Sequence, residues 1–313
     1  YLFLLSKAFQ KREKGHLEAF LAVRPLFITM IYGWALYAIS QVVLTTYLFW
    51  KQIKFLPWFW NEFSIQIFLW GVLFPVAFAF SIKILPLYLR LPSIRWWKKH
   101  FGWLYCCLSY LYLLFYALSW SFLKELFLLL LCLWIIGFIL GLDILTRFRK
   151  PWTHEKAISH PPSPKTRKNY PDYGEFGHFE WAIYTAYFCL LLAVILEGGG
   201  IIRSWFGQSR LLPLDGLRHL YLFGFITFLI YGVGNRMLPG FVGKKQIAFP
   251  FLVDLGFLIL ALALLGRMSP YLPYWIGKER FFSYLFGWSG VIGMVATLIF
   301  FINLFFTFYG KKK

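Results

Sequence analysis

The sequence predicts an all-α, polytopic membrane protein of about eight transmembrane helices, arranged as two parallel four-helix repeats. Three observations predict it. Apolar residues are 60% of the chain and charged residues 14%, where a soluble domain is roughly half apolar and a quarter charged. The apolar residues gather in long blocks, separated by connections that hold most of the Lys and Arg. A stretch beginning at Glu62 returns 153 positions later.

The blocks come close to the roughly 20 residues that a hydrocarbon core needs. They cover 26–49, 63–82, 102–122, 126–145, 181–202, 218–238, 249–266 and 285–309. The polar stretch 146–180 carries HPPSPK and no apolar period, so it is a loop. The chain thus divides into an N-terminal segment 1–25, a first membrane unit 26–145, the loop 146–180, a second membrane unit 181–309 and a basic tail 310–313. It opens at Tyr1 without a methionine and is apolar at once, so an earlier segment is expected to precede it. No signal-peptide cleavage pattern is visible.

The net charge of +19 does not indicate nucleic acid, because the basic residues form no single face. They sort by side of the membrane instead. The N-terminal segment, the second, fourth and sixth connections and the tail hold 23 of the 32, and the opposite side holds nine. The positive-inside rule then places both termini and the 146–180 loop in the cytoplasm of a bacterial inner membrane. The sixth helix runs from outside to inside, with His219 in the outer leaflet and Arg236 and Pro239 at the inner interface. Trp residues near the predicted helix ends fit interfacial belts.

The repeat pairs EFSIQIFLWGVLFPVAFAFSIKILPLYLR (62–90) with DGLRHLYLFGFITFLIYGVGNRMLPGFVG (215–243). Leu69, Gly71, Leu85 and Pro86 fall on Leu222, Gly224, Leu238 and Pro239. Glu62 falls on Asp215, Phe68 on Tyr221 and Lys83 on Arg236. Each copy has an outer acid, a mid-helix Gly and a cation three residues before a Leu-Pro stop. Four helices per copy give both copies the same orientation, hence a parallel duplication about an axis along the membrane normal. His219 has Gln66 as its counterpart, so the histidine belongs to one copy alone.

Ionisable groups inside a bilayer are functional candidates by default. Lys83, Arg236, Asp143 and Asp254 lie near inner helix ends, where Lys and Arg snorkel and Asp254 is expected to pair with Arg236 or Lys83. The outer leaflet gathers Glu197, Asp215, Arg218 and His219. His219 and Glu197 are the metal-ligand candidates, and Glu197, Asp215 and Thr227 a candidate proton or ion relay. Thr227 and Tyr231 would carry a polar track inward. Candidates for contact with a cofactor are His219, Tyr231 and Arg236. The plain alternative is an interfacial histidine bonded to Glu197, with glycines allowing tight helix contact.

A bis-histidine haem needs two ligands on one side. His16, His100, His154, His160 and His178 fall in or beside cytoplasmic segments, which leaves His219 alone outside. Haem b is therefore possible only with a second ligand from elsewhere, a methionine, or an open position. The 146–180 loop holds His154, His160 and His178 with Glu155, Asp172 and Glu175, in no zinc spacing. Cys106, Cys107, Cys132 and Cys189 lie in apolar blocks as small hydrophobes, with no CxxC pair. No P-loop, GxSxG or HExxH motif occurs, and no catalytic residue is assigned.

His219, Gly224, Gly232, Arg236, Gly240 and Gly243, followed by Lys244 and Lys245, resemble the NnrS family of multi-helix membrane proteins. That family is tied to nitrogen-oxide stress and is similar in plan to the haem–copper oxidase main subunit. The resemblance covers about residues 215–245 and implies haem and copper held by several histidines. This chain departs from it in having one intramembrane histidine and fewer helices. The expected function is an integral subunit of a larger redox or energy-transducing membrane complex, touching haem or a quinone through His219. Its partners are the lipid bilayer and other membrane subunits. The other readings are a small-solute or proton-coupled ion transporter and a haem protein handling nitric oxide.

Overall fold

The computed structural model describes residues 17–89, 91, 100–146, 174–271 and 279–310. His16, His154, His160, Glu155 and Asp172 lie outside them, as do the first part of the N-terminal segment, most of the 146–180 loop and the last three lysines. The described residues form eight helical rods and no strand. They are α1 (Leu17–Lys51), α2 (Trp58–Tyr88), α3 (His100–Ala117), α4 (Ser121–Leu142), α5 (Phe179–Trp205), α6 (Leu214–Phe241), α7 (Pro250–Met268) and α8 (Glu279–Tyr309). A 3-10 turn, Ser269–Tyr271, follows α7.

Seven of these rods are long and apolar enough to cross a bilayer. The eighth, α3, has 18 residues. At 1.5 Å per residue it spans about 27 Å, just under the ~30 Å core. Large apolar side chains cover the outward surfaces, among them Tyr32, Ile39, Val42 and Phe49 on α1 and Met294, Leu298, Phe301 and Phe305 on α8. Water would oppose such a surface, and lipid does not. The chain is a multi-pass α-helical membrane protein.

Most rods run past the predicted bounds, because hydropathy reports the hydrocarbon-embedded part of a helix and the helix continues into the interface. One boundary differs for another reason. The third helix was expected to reach 122, but it ends at Ala117 and α4 begins at Ser121. Ser119 takes φ 57°, the Trp120 amide donates to the Phe115 carbonyl, and the Trp120 ring stacks on Phe115 at 5.6 Å. The turn is built from apolar residues, so composition does not reveal it.

The chain separates into two compact units. One runs to Leu87 and again from Ser93 to Trp134, and the other comprises Tyr88–Pro92 and the chain from Ile135. The division therefore falls inside α4, and the last residue of α2, Tyr88, groups with the second unit.

In the first unit, α2 packs on α1 where Gly71 meets Gly33, and the Gly71 carbonyl occupies the place of a Cβ on Gly33. Trp134 of α4 stacks on Phe101 at 4.0 Å and donates through Nε1 to the Phe101 carbonyl at 3.0 Å. In the second unit, α6 packs on α5 with Gly224 against Cys189. The chain entering α7 is clamped by α8: Asn303 Oδ1 accepts from the Phe249 amide at 3.0 Å and Thr307 Oγ1 from the Ala248 amide at 2.9 Å.

Two rods widen into a π-helix, α2 at Ile67–Leu73 and α6 at His219–Thr227. In α2 the cause is Pro75, which has no N–H and whose ring would clash with the carbonyl four residues back. The Phe74 amide instead reaches five back, to the Leu69 carbonyl. α6 has no such proline. There Thr227 Oγ1 donates to the Leu222 carbonyl, five back, at 3.0 Å. Such segments often mark functional positions in helices.

Candidate functional site

The N-terminal end of α6 builds the site. One α-turn, Leu214–Arg218, leads into the π segment that His219 opens. Helical spacing sets Asp215 and His219 on one face. His219 Nε2 lies 3.4 Å from Asp215 Oδ2, with side chains 20% and 61% exposed respectively. Tyr271, in the turn after α7, donates its hydroxyl to the same Asp215 oxygen at 2.7 Å. The His219 ring is flanked by Tyr271 and by Phe286 of α8, at 6.4 and 6.1 Å. The Arg267 guanidinium covers Phe286 at 4.6 Å. His219 Nε2 is buried and makes no hydrogen bond among the described residues. An acid, an imidazole and a phenol between aromatic walls can bind and orient a polar ring or exchange a proton.

Glu197 takes a different partner. Its carboxylate accepts a hydrogen bond from the Tyr221 phenol, inside the α5–α6 contact, and Glu197 is 7% exposed. Among the described residues no three of His, Cys, Asp and Glu converge to hold a metal ion.

The residues deeper in α6 are engaged with main chain. Thr227 is held by the Leu222 carbonyl, Tyr231 Oη donates to the Val253 carbonyl at 2.9 Å, and Asn235 Nδ2 donates to the Tyr231 carbonyl at 2.9 Å. Arg236 lies against the rings of Phe176 and Tyr88, at 4.0 and 5.2 Å. The expected pairing of Asp254 with Arg236 or Lys83 is corrected. Asp254 accepts from the His178 amide at 2.7 Å and faces His178 Nδ1 at 3.0 Å. The acid therefore caps α5, whose first amides have no helical acceptors.

Near its N-terminal end α2 holds a buried hydrogen-bonded network. Gln66 Nε2 donates to Glu62 Oε1 at 2.8 Å. Gln66 Oε1 accepts from Trp70 Nε1 at 2.9 Å and from Tyr112 Oη at 3.1 Å. All four side chains are buried. Composition gave no sign of Trp70 or Tyr112 as partners, since both read as aromatic filling. The repeat alone pointed to Glu62 and Gln66.

Geometry and hydropathy thus define a multi-pass membrane protein with an acid–imidazole–phenol group at one end of its second unit. No protein-family model matches the chain, and a search of curated proteins finds no match.

Proposed function

We propose that the chain is an integral subunit of a larger redox or energy-transducing assembly in a bacterial inner membrane, NnrS-like in ancestry, with both termini in the cytoplasm. Residues 26–145 and 181–309 are copies of one four-helix plan, and only the second keeps a working site. That site meets a haem or quinone of the assembly through His219.

One observation carries the reading: the contrast between His219 and Gln66. The glutamine amide is bonded on both its oxygen and its nitrogen. The histidine at the matching position has an acid beside it and no hydrogen bond on Nε2. The duplication is supported by the π segments, since 67–73 shifted by 153 falls within 219–227. Purification in mild detergent, with particle mass and analysis for haem and quinone, tests the proposal. Co-purifying subunits or a redox cofactor are expected, and a lone monomer without either counts against it.

A second reading is a proton-coupled transporter, favoured by the Glu197–Tyr221 bond. At the matching positions of the first unit stand Leu44 and Phe68, so packing alone does not require a carboxylate and a phenol there. Proteoliposome flux that survives Glu197→Gln would dismiss this reading.

A further inference from the structure

The second unit holds a cation that the site above does not use. Arg236 stands three residues before Pro239, near the C-terminal end of α6. Its guanidinium lies over Phe176 at 4.0 Å and over Tyr88 at 5.2 Å. Two aromatic contacts restrict its movement. Its Nε is buried and has no hydrogen-bond partner among the described residues. Asp254, the acid that sequence position offered, is taken by the N-terminal end of α5.

The surroundings place this group at headgroup level. Phe241 and Val242, five and six residues on, are exposed apolar residues. Lys244 is tied through Nζ to the Gly310 carbonyl at 3.0 Å, so it is held at the end of α8. Lys245 beside it is exposed. Apolar side chains followed at once by lysines match the boundary between acyl chains and phosphates. Of the Arg236 nitrogens only Nε is a buried atom without a partner, so the terminal pair is open to an anion of fork-like geometry.

We propose that Arg236 binds the phosphate of an anionic phospholipid, with Phe176 and Tyr88 as positioning residues. The ring pair restricts the fork, the phosphate oxygens accept its N–H donors, and Lys245 adds attraction for the net negative headgroup. This site is independent of the reading of His219.

The test uses the full-length chain, stripped of lipid in detergent and returned to nanodiscs of phosphatidylglycerol or phosphatidylcholine. Native mass spectrometry counts retained lipids. Wild type is expected to keep a phosphatidylglycerol and no phosphatidylcholine, and Arg236→Gln to bind it about tenfold more weakly, the loss of one charge-assisted pair. Arg236→Lys keeps the charge without the fork and should fall between them. Phe176→Leu leaves the arginine in place, frees its movement, and should weaken binding on its own, which keeps the proposal testable if Arg236→Gln misfolds. Equal retention of the two lipids, or retention unchanged in both Arg236→Gln and Phe176→Leu, overturns it. Inorganic phosphate that displaces the phosphatidylglycerol would overturn the lipid as the source of the phosphate.

Discussion

Tyr105 donates its phenol hydrogen to the main-chain carbonyl of Trp70 at 2.7 Å. In a π-helix that carbonyl would accept from the amide five residues on, and residue 75 is a proline. A side chain from α3 thus replaces the donor that the proline removes, in a place where no water can do so. Tyr105→Phe removes that donor from a buried carbonyl, at a cost of about 1–3 kcal/mol. Thermal unfolding in detergent should show a clear drop in Tm. Tyr110→Phe, which loses a half-buried bond to the Thr29 carbonyl, should cost less.

Gln66 and His219 should differ in what they contribute to stability. Gln66→Ala deletes an amide that serves Glu62, Trp70 and Tyr112 together, and should cost several kcal/mol by the reckoning of about 1–3 kcal/mol per buried polar group. His219→Ala removes a ring that makes no hydrogen bond through Nε2, and should cost roughly 1 kcal/mol or less beyond its packing. Chemical denaturation of the two variants gives the comparison. Equal losses would contradict the division into a structural copy and a working copy.

The crossing of α1 and α2 is asymmetric. A Cβ on Gly33 would meet the Gly71 carbonyl, whereas a Cβ on Gly71 would lie 3.2 Å from the Gly33 Cα. Overpacking of this kind typically costs about 1–3 kcal/mol. Gly33→Ala should therefore lower expression and Tm markedly, and Gly71→Ala only slightly. A folding-reporter fusion ranks the pair.

Asp254 acts as a cap supplied from α7 to α5. Asp254→Ala should cost about 1 kcal/mol, in the range of lost N-caps. Asp254→Asn keeps an acceptor for the His178 amide and should recover most of it. The contact between the His178 and Asp254 side chains itself contributes little, since they are 42% and 34% exposed. Adding salt should accordingly change the stability of the wild type by no more than a few tenths of a kcal/mol.

Much of the fold was legible because a bilayer imposes simple demands: apolar length, cations at the ends, and every backbone group satisfied. The eight blocks became the eight rods on that basis. The turn at Ser119 was not legible, because apolar residues hide it. The π segments were half legible. Pro75 marks the first, and no residue in 219–227 announces the second. At the site, the i,i+4 spacing of Asp215 and His219 is a local fact that sequence carries. Tyr271, Phe286 and the Tyr221 bond to Glu197 depend on how separate helices meet, and so does the choice of His178 by Asp254 across 76 residues.

The account rests most heavily on His219 as the contact with a redox cofactor. The direct measurement is the optical spectrum of the complex purified from its native membrane, with haem and quinone extracted and counted, for wild type and His219→Gln side by side. On the proposed duplication the glutamine is the matching residue of the first copy, so the fold and Tm should hold while the haem absorbance or the bound quinone is lost. Wild type and variant with the same spectrum and the same cofactor content would contradict it.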